Sequence, residues 1–469
     1  MLFEKLKAYG EGDVYPFHMP GHKRRMEPFN PYSIDITEIG GFDDLHSPHG
    51  AIYEAQEECA RVFGALESFF LINGASCGII SSVLSVCGDG SKIIAARNSH
   101  RSFFGGLILS GAVPHYIMPK ICEGAGFCGG ISTESVLEAV LKNPDASAIF
   151  ITSPTTEGIT SDIRAIADIA HENNMLLIVD SAHGAHFHFS DYFPEDALSQ
   201  GADIVIESVH KTLPSLTQTS LLHTGSLRPD MNRLKSALSI TQSTSPSYVL
   251  MGSIDRCVSF VKNGGEAFKL YTKRLNEARK AISRLSAFRL LDRDMIEDLG
   301  ACDIDRGKIS LVSPFLSGVR LAGILRESYG IEPEMSSEGH IVLITSVADT
   351  DEGFSRLVSA LSGIDGKIDK SKGASKRFLP YVSLPEMAVT PREAYFSAKK
   401  EKWISESASC VSAEFIVPYP PGIPLIVPGE RITEEIIKTI EALKSEGTEL
   451  SGIEDKEVKK IKVLSRETP

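Results

Sequence analysis

The sequence predicts an α/β protein whose large domain is a mostly parallel sheet covered by helices. Short apolar runs alternate with helical stretches, an alternation typical of strand–helix units. The runs begin at Phe69, Lys92, Val113, Ala148, Met175, Asp203 and Thr219. The length of 469 residues exceeds one ordinary core, so we expect two or three domains.

The composition favours small molecules as partners. Acidic residues exceed basic ones, 61 against 48, and the formal charge of −13 argues against a nucleic-acid or anionic-membrane binder. No apolar run reaches the ~18 residues that span a bilayer, and the start has no signal-peptide core, so we expect a cytoplasmic protein. The eight cysteines form no CxxC pair and are expected to be reduced thiols of the core.

The first fifty residues are rich in Pro, Gly, His and Asp and have no sustained period. A long irregular segment of this kind predicts an arm that wraps a partner or borders an active site. Its histidines, His18, His22, His46 and His49, lack the helical spacing of a zinc motif, so we expect no metal site.

Polar residues follow several strands, where ligands bind in such sheets. Gly74, Ala75 and Ser76 open a helix after the first strand and predict a phosphate site, although Asn-Gly also marks ordinary turns. His100 follows the second strand and is either a residue that stacks on an aromatic ring or a surface histidine. Thr156 lies in a Pro- and Gly-containing turn that predicts a pocket wall.

Two charged residues complete this series. Asp180 ends an apolar strand and needs a cationic partner, unless it caps a helix or pairs with an arginine. Lys211 follows the strand at Asp203 and suits an amine that forms a Schiff base, although most lysines are solvated surface charges. Together with the phosphate site and His100, these residues predict a pyridoxal phosphate (PLP) enzyme, because a carboxylate keeps the ring nitrogen protonated and the ring then accepts electrons from Cα.

The sequence also resembles the Orn/Lys/Arg decarboxylases among the fold-type I PLP enzymes. The motifs occur in order along the chain: HMPGHK at His18, DITEIGGFDDLHSPHG at Asp35, NGAS at Asn73, RNSHRS at Arg97, DSAHGAH at Asp180, ESVHKT at Glu207, TPREAY at Thr390 and YPPGIPLIVPGE at Tyr419. The resemblance implies a large cofactor domain, a small α+β domain, a C-terminal domain and a homodimer or higher homo-oligomer with active sites at the subunit interface.

The resemblance also implies roles for single residues. Lys211 would be the Schiff-base lysine, and His100 would stack on the ring. Asp180 would pair with the ring nitrogen, and His183 would lie near the 3-hydroxyl. The residues expected beside the phosphate are Ser208, His210 and Ser76.

Three positions depart from the family pattern. Thr156 stands where a tyrosine is usual, Arg24 and Arg25 stand where glycine is usual, and His49 replaces a common glutamate. These departures put the wall contact in doubt and are either drift or signs of an altered substrate.

The predicted boundaries are an arm at 1–50, a PLP-binding large domain at 51–265, a small α+β domain at 266–366, a Lys-, Gly- and Ser-rich linker at 367–379 and a C-terminal domain at 380–469. In the C-terminal part, clustered prolines predict that YPPGIPLIVPGE is a rigid extended loop that lines a pocket.

The predicted reaction is decarboxylation of a basic amino acid, in polyamine or diamine biosynthesis, with arginine or lysine favoured and ornithine possible. The residues expected to contact the substrate are His18, Glu38, Asp43, Asp44, Arg392 and Glu414; each acid among them is otherwise a surface charge. Another fold-type I reaction, that of an aminotransferase or β-lyase, and a catalytically silent regulatory homologue are the alternatives.

Overall fold

A computed structural model describes residues 2–26, 29–122, 125–371, 383–419, 423–445 and 447–465. Most of the predicted linker and residues 420–422 of the proline-rich loop lie outside the described residues.

The N-terminal arm contains regular structure that the sequence analysis did not predict. It begins with helix α1 (Leu2–Glu11), continues into strand β1 (Tyr15–Phe17) and includes a 3-10 turn at Pro31–Ser33. None of the α1 side chains is buried. Strand β1 is buried and pairs in parallel with residues 331–333 of the small domain. The expectation of an arm without regular elements was therefore wrong, because a three-residue strand whose partner is some 300 residues away leaves no local period.

The large domain contains the predicted sheet. Its strands and ribbons are β2 (Glu67–Leu71), β3 (Lys92–Ala96), β4 (Val113–Ile117), β5 (Ile121–Cys122), β6 (Phe127–Cys128), β7 (Ala148–Thr152), β8 (Ile159–Thr160), β9 (Leu176–Asp180), β10 (Ile204–Glu207) and β11 (Ser220–Thr224). Seven of them form one sheet in the order β2-β11-β10-β9-β7-β3-β4. Strand β11 is antiparallel to both neighbours, and the remaining pairs are parallel. All seven predicted runs are confirmed as strands of this sheet.

Helices cover both faces of the sheet. They are α2 (Ala51–Phe63), α3 (Gly74–Val86), α4 (Arg101–Ser110), α5 (Thr133–Lys142), α6 (Ile163–Glu172), α7 (Val209–Thr212), α8 (Met231–Thr241) and α9 (Tyr248–Lys262). Along β10, Ile204 and Ile206 belong to one apolar cluster and Val205 belongs to another. Alternate side chains of a strand point to opposite faces, so the sheet is buried on both sides.

The small domain, which follows the large domain in the chain, is α+β, as predicted. Its elements are α10 (Gly265–Ile282), β12 (Arg289–Leu290), β13 (Asp303–Ile304), β14 (Lys308–Val312), α11 (Gly318–Tyr329), β15 (Ile331–Pro333), β16 (Met335–Ser336), β17 (His340–Ile344) and α12 (Asp351–Asp365). Four strands form an antiparallel sheet in the order β12-β14-β17-β16. Strand β13 pairs with β8 of the large domain, which joins the two units.

The C-terminal part is a smaller unit with its own apolar cluster. It contains α13 (Pro391–Phe396), β18 (Lys399–Trp403), β19 (Val417–Tyr419), α14 (Glu434–Ser445), β20 (Glu449–Ser451) and β21 (Lys460–Leu464). Thr390 and Glu393 form a capping box at the start of α13. The ion pair of Arg97 and Glu430 connects this unit to the large domain.

The structure also bears on the expectations about cysteines, membranes and metals. Five of the eight cysteines are buried, although Cys302 is exposed rather than in the core. Among the described residues, no helix is long and apolar enough to cross a membrane, and no group of three or more potential ligands could hold a metal ion.

Candidate active site at the carboxyl edge of the sheet

Lys211 lies on the single turn α7, directly after strand β10. Its Nζ is 3.0 Å from Nε2 of His183. The side chain is half-buried, and burial lowers the pKa of Lys211, against the opposing charges of Asp180 and Glu334. A lowered pKa favours the neutral amine, which is the form that attacks a carbonyl.

Asp180 is the last residue of β9, the strand adjacent and parallel to β10. Only 2% of the residue is exposed, and its Oδ1 accepts a hydrogen bond from the Ala182 backbone N–H at 3.1 Å. Burial raises the pKa of Asp180, while the charges of Lys211 and His100 oppose the rise. Because parallel strands end at the same edge, Asp180 and Lys211 lie at the same end of the sheet.

His183 has a buried ring nitrogen without a hydrogen-bond partner among the residues that the structure describes. Burial lowers the pKa of His183 well below its ordinary value, and the nearby charges of Lys211 and Lys308 lower it further, so the ring is neutral at pH 7. If Nε2 accepts from Lys211, the ring proton is on Nδ1. That atom is buried and forms no hydrogen bond within the part of the chain that the structure describes.

His100 is the N-cap of helix α4, and its Nδ1 accepts a hydrogen bond from the Ser102 N–H at 3.2 Å. This contact places the ring proton of neutral His100 on Nε2, the atom that does not face the helix. In its protonated form His100 would lower the pKa of Asp180, so the two residues lie near one another.

The start of helix α3 is suited to an anion. Gly74 has a φ of +75°, which an L side chain rarely adopts, and the N-cap Asn73 makes no side-chain capping bond. The Asn73 side chain therefore leaves the first N–H groups of the helix uncapped. Ala75 is half-buried and Ser76 is exposed, so both are accessible from outside the helix.

Ser208 and His210 flank the lysine turn. Ser208 is the buried N-cap of α7. His210 Nδ1 is 2.8 Å from the Thr219 carbonyl oxygen, and burial lowers its pKa to about 4, so this histidine is neutral at pH 7. The N–H of Gly21 donates to the His210 carbonyl at 2.7 Å. The arm motif HMPGHK therefore packs directly on the turn that carries Lys211.

The turn at residues 153–158 borders the same edge. The Ser153 N–H donates to the Asp180 carbonyl at 3.0 Å, and Thr156 is half-buried. In this turn the carbonyls of Glu157 and Gly158 accept hydrogen bonds from the Ser310 hydroxyl and the Asp305 N–H of the small domain, at 2.9 and 2.7 Å.

The acids of the arm are engaged elsewhere or exposed. Asp43 accepts backbone hydrogen bonds from His49, Gly50 and Ile52 at the start of α2. Asp44 accepts from the His46 N–H, and Glu38 is exposed.

The other substrate candidates also have partners away from Lys211. His18 contacts the Tyr9 hydroxyl at 2.6 Å. Arg392 donates to the carbonyls of Ile108 and Leu109 at the end of α4, and Glu414 accepts from the N–H groups of Glu454 and Lys462. No hydrogen bond or ion pair joins any of the six candidates to Lys211, Asp180, His100 or His183, all of which the structure describes. Their role in substrate binding stays a prediction.

The structure adds charged residues that the sequence analysis missed. Lys23 is buried and its Nζ donates to the carbonyls of His18 and Ile344. The charges of Glu334 and Lys308 act on Lys211. His186 Nε2 lies 3.0 Å from Oδ1 of Asp305. The sequence contains no signal for these contacts, since Lys92 also opens an apolar strand and forms a surface pair; only long-range packing reveals them.

The sheet and the site together define the class of protein. The fold is that of the fold-type I PLP enzymes, with a lysine and an aspartate at the carboxyl edge of the sheet. The family follows from sequence comparison. The Orn/Lys/Arg decarboxylase major domain matches residues 1–300, and the corresponding C-terminal domain matches residues 375–463. The chain therefore belongs to the Orn/Lys/Arg decarboxylase family.

Individual relatives support membership of this family. The chain is 35% identical over 481 residues to an arginine decarboxylase of Bacillus subtilis, covering 99% of this chain and 98% of that protein. It is 34% identical over 476 residues to an arginine decarboxylase of Halalkalibacterium halodurans, covering 99% and 97%. The crystal structure of the lysine decarboxylase LdcF of Francisella novicida superposes with a TM-score of 0.81 at 22% identity, covering 99% of this chain and 81% of that one, which supports the fold.

The residues present fit PLP, the cofactor of this family. The uncapped start of α3 offers N–H donors for a phosphate. Asp180 offers a buried carboxylate and Lys211 an amine with a lowered pKa. His183 offers a buried Nδ1 that has no hydrogen-bond partner in the described ranges of the chain. An anion site, an acid, an amine and an unsatisfied donor at one sheet edge match the groups that PLP carries.

Proposed function

We propose that the protein is a PLP-dependent decarboxylase that converts arginine into agmatine and carbon dioxide. The observation that carries the assignment to PLP chemistry is the half-buried contact of Lys211 with His183 beside Asp180. The choice of arginine rests on the arginine decarboxylases that match this chain along nearly its whole length. Lysine is the second candidate substrate and ornithine the third.

We assign the cofactor contacts as follows. The N–H groups and side chains at Gly74, Ala75 and Ser76 would hold the phosphate, with Ser208 and His210 beside it. His100 would lie over the ring, Asp180 would hold the ring nitrogen, His183 would donate to the 3-hydroxyl, and Thr156 would border the ring from the turn at 153–158. When bound, PLP links to the substrate amine and accepts the electron pair that departing carbon dioxide leaves at Cα.

Each catalytic residue then has a task that follows from its surroundings. Lys211 supplies a neutral amine, because burial lowers its pKa, and it carries a proton at Nζ that Cα needs after decarboxylation. His183 holds Lys211 in place through Nε2, which accepts a hydrogen bond from Nζ at 3.0 Å. Asp180 supplies the negative charge that favours a protonated ring nitrogen.

We also infer the context of the enzyme from the family resemblance: polyamine or diamine biosynthesis in the cytoplasm, and a homodimer or higher homo-oligomer with its active sites at the subunit interface. An interface site would supply from a second subunit the substrate contacts that a single protomer does not bring to Lys211. The predicted domain boundaries at 50, 265, 366 and 379 are part of the same proposal.

The experiment measures carbon dioxide release from arginine, lysine and ornithine by the PLP-loaded protein. We expect the highest kcat/KM with arginine. Lys211→Ala should abolish turnover and the visible absorbance of the lysine-bound cofactor, whereas Lys142→Ala, at an exposed lysine, should change neither. Full turnover by Lys211→Ala would refute the assignment. Formation of a keto acid without carbon dioxide would instead indicate an aminotransferase, and absence of cofactor absorbance in the wild type would indicate a silent homologue.

A further inference from the structure

A second buried lysine lies close to the site and has a free side. Lys308 opens strand β14 and is 2% exposed. Its Nζ is 3.5 Å from Oδ2 of Asp305, and within the described part of the chain neither atom forms a hydrogen bond. Burial lowers the pKa of Lys308, while the charges of Asp305 and Glu334 oppose that effect. A buried ammonium is costly unless it is paired and hydrogen-bonded, so this incomplete pairing points to an anionic ligand.

The loop after Asp180 connects this lysine to the active site. His183 in that loop contacts Lys211, and three residues later His186 contacts Oδ1 of Asp305 at 3.0 Å. Asp305 therefore touches His186 with one oxygen and faces Lys308 with the other. The same loop positions both lysines, one from the large domain and one from the small domain.

The turn at residues 153–158 gives a second connection. A Cβ built on Gly158 would lie 3.0 Å from Cγ of Lys308, so the lysine stem packs against this turn. The Ser153 N–H of the same turn donates to the Asp180 carbonyl. The charge of Lys308 is close enough to add to the effect of burial in lowering the pKa of both Lys211 and His183.

The free side of Lys308 is not suited to the cofactor phosphate. The phosphate cradle follows β2, whereas Lys308 packs on the turn that follows β7, four strands away in the sheet. At ~4.8 Å per strand, the two strands that precede these positions are about 19 Å apart across the sheet. The remaining anion is that of the substrate, because an amino acid carries an α-carboxylate at the atom that reacts.

We propose that Lys308 is a specificity-determining residue whose ammonium binds the α-carboxylate of the substrate. The inference rests on the proposed function. Asp305, held by His186, keeps the ammonium in position, and Glu334 adds a second negative charge in the neighbourhood. The product amine has no carboxylate and loses this contact. Lys308 therefore separates amino acid from product, and its interaction contributes to substrate binding rather than to the chemical step.

The test compares a ligand that has the carboxylate with one that lacks it. In Lys308→Gln holoenzyme we expect the KM for arginine to rise about 10- to 100-fold, the range for loss of a charge-assisted hydrogen bond, with the inhibition constant of agmatine changed less than twofold. Lys308→Arg, which keeps the charge, should preserve most of the preference for arginine. Lys92→Met, which removes a lysine from a surface pair with Asp145, should leave both constants unchanged.

The outcomes separate the two proposals. An equal rise in the KM for arginine and the inhibition constant of agmatine would assign Lys308 a structural role and overturn the inference. An unchanged KM for arginine would overturn it too. If Lys308→Gln does not fold, Lys308→Arg decides the question. Equal losses of affinity for arginine and for agmatine in this variant would overturn the inference as well. Carbon dioxide release by the wild type tests the function itself. If it is absent, titration of the cofactor absorbance with arginine and with agmatine still measures the two affinities.

Discussion

Arg97→Met removes the cation that joins the C-terminal unit to the loop carrying His100. The Nε and Nη2 atoms of Arg97 donate to the two carboxylate oxygens of Glu430 at 2.9 and 2.8 Å, and Nη1 donates to the Pro424 carbonyl at 2.8 Å. The two side chains are 5% and 0% exposed. Methionine fills part of the volume but leaves the Glu430 carboxylate without its counter-ion.

The expected loss of unfolding free energy is ~3–5 kcal/mol, the usual effect of removing one partner of a buried pair. After the substitution, Glu430 retains the Val427 N–H at 2.9 Å. The contacts of the guanidinium with the rings of Phe104 and Tyr116, at 5.4 and 5.6 Å, are lost as well. The control is Lys142→Met, because its pair with Glu138 is exposed and contributes only ~0.3–0.5 kcal/mol.

The assay is urea unfolding of the holoenzyme, observed with two probes. Trp403 is the sole tryptophan, lies on β18 of the C-terminal unit and is 49% exposed, so its fluorescence reports this unit. Circular dichroism reports the whole chain. We expect Arg97→Met to move the Trp403 transition to lower urea, and further than the circular dichroism transition. Arg97→Met/Glu430→Met should recover part of the loss, because no unpaired charge remains. A Trp403 midpoint equal to that of Lys142→Met would refute the reasoning.

Two further substitutions test local packing. Asp43→Ala should cost ~1–2 kcal/mol at pH 7 and leave the KM for arginine unchanged, because Asp43 caps α2 with three backbone hydrogen bonds; Asp44→Ala, which loses one, should cost less. Burial raises the pKa of Asp43, but these hydrogen bonds outweigh burial and hold the pKa at about 2, below the ~3.9 of an unfolded aspartate. The stabilisation by Asp43 is therefore complete above about pH 4 and is lost as pH falls through 2. Acid denaturation curves of Asp43→Ala should lack this step. A raised KM for arginine with unchanged stability would instead support a role of Asp43 in substrate binding. Gly353→Ala on α12 places Cβ 1.9 Å from Cζ of Tyr15, so β1 should detach and limited proteolysis should remove the arm faster. Gly323→Ala on α11 meets nothing within 4 Å and should gain up to ~1 kcal/mol; equal protease sensitivity of the two variants would contradict the packing.

The sequence by itself determined the large sheet and the core of the site. Each of the seven strands is a local apolar run, and local patterns can be identified without knowing their neighbours. The positions of Asp180 and Lys211 followed, since parallel strands end at one edge and polar residues after such strands face a common crevice. Strand β1 of the arm escaped detection because it pairs with a strand some 300 residues away.

Tertiary structure alone decided how the remaining charges are used. Asp43 and Glu414, acids that the sequence assigns to a cationic substrate, accept backbone hydrogen bonds within their own units. Lys308, an ordinary lysine in the sequence, is buried beside Asp305 near the active site. The physical reason is that the environment of a charge depends on which distant segments desolvate it and which partners they bring, and chain spacing contains neither.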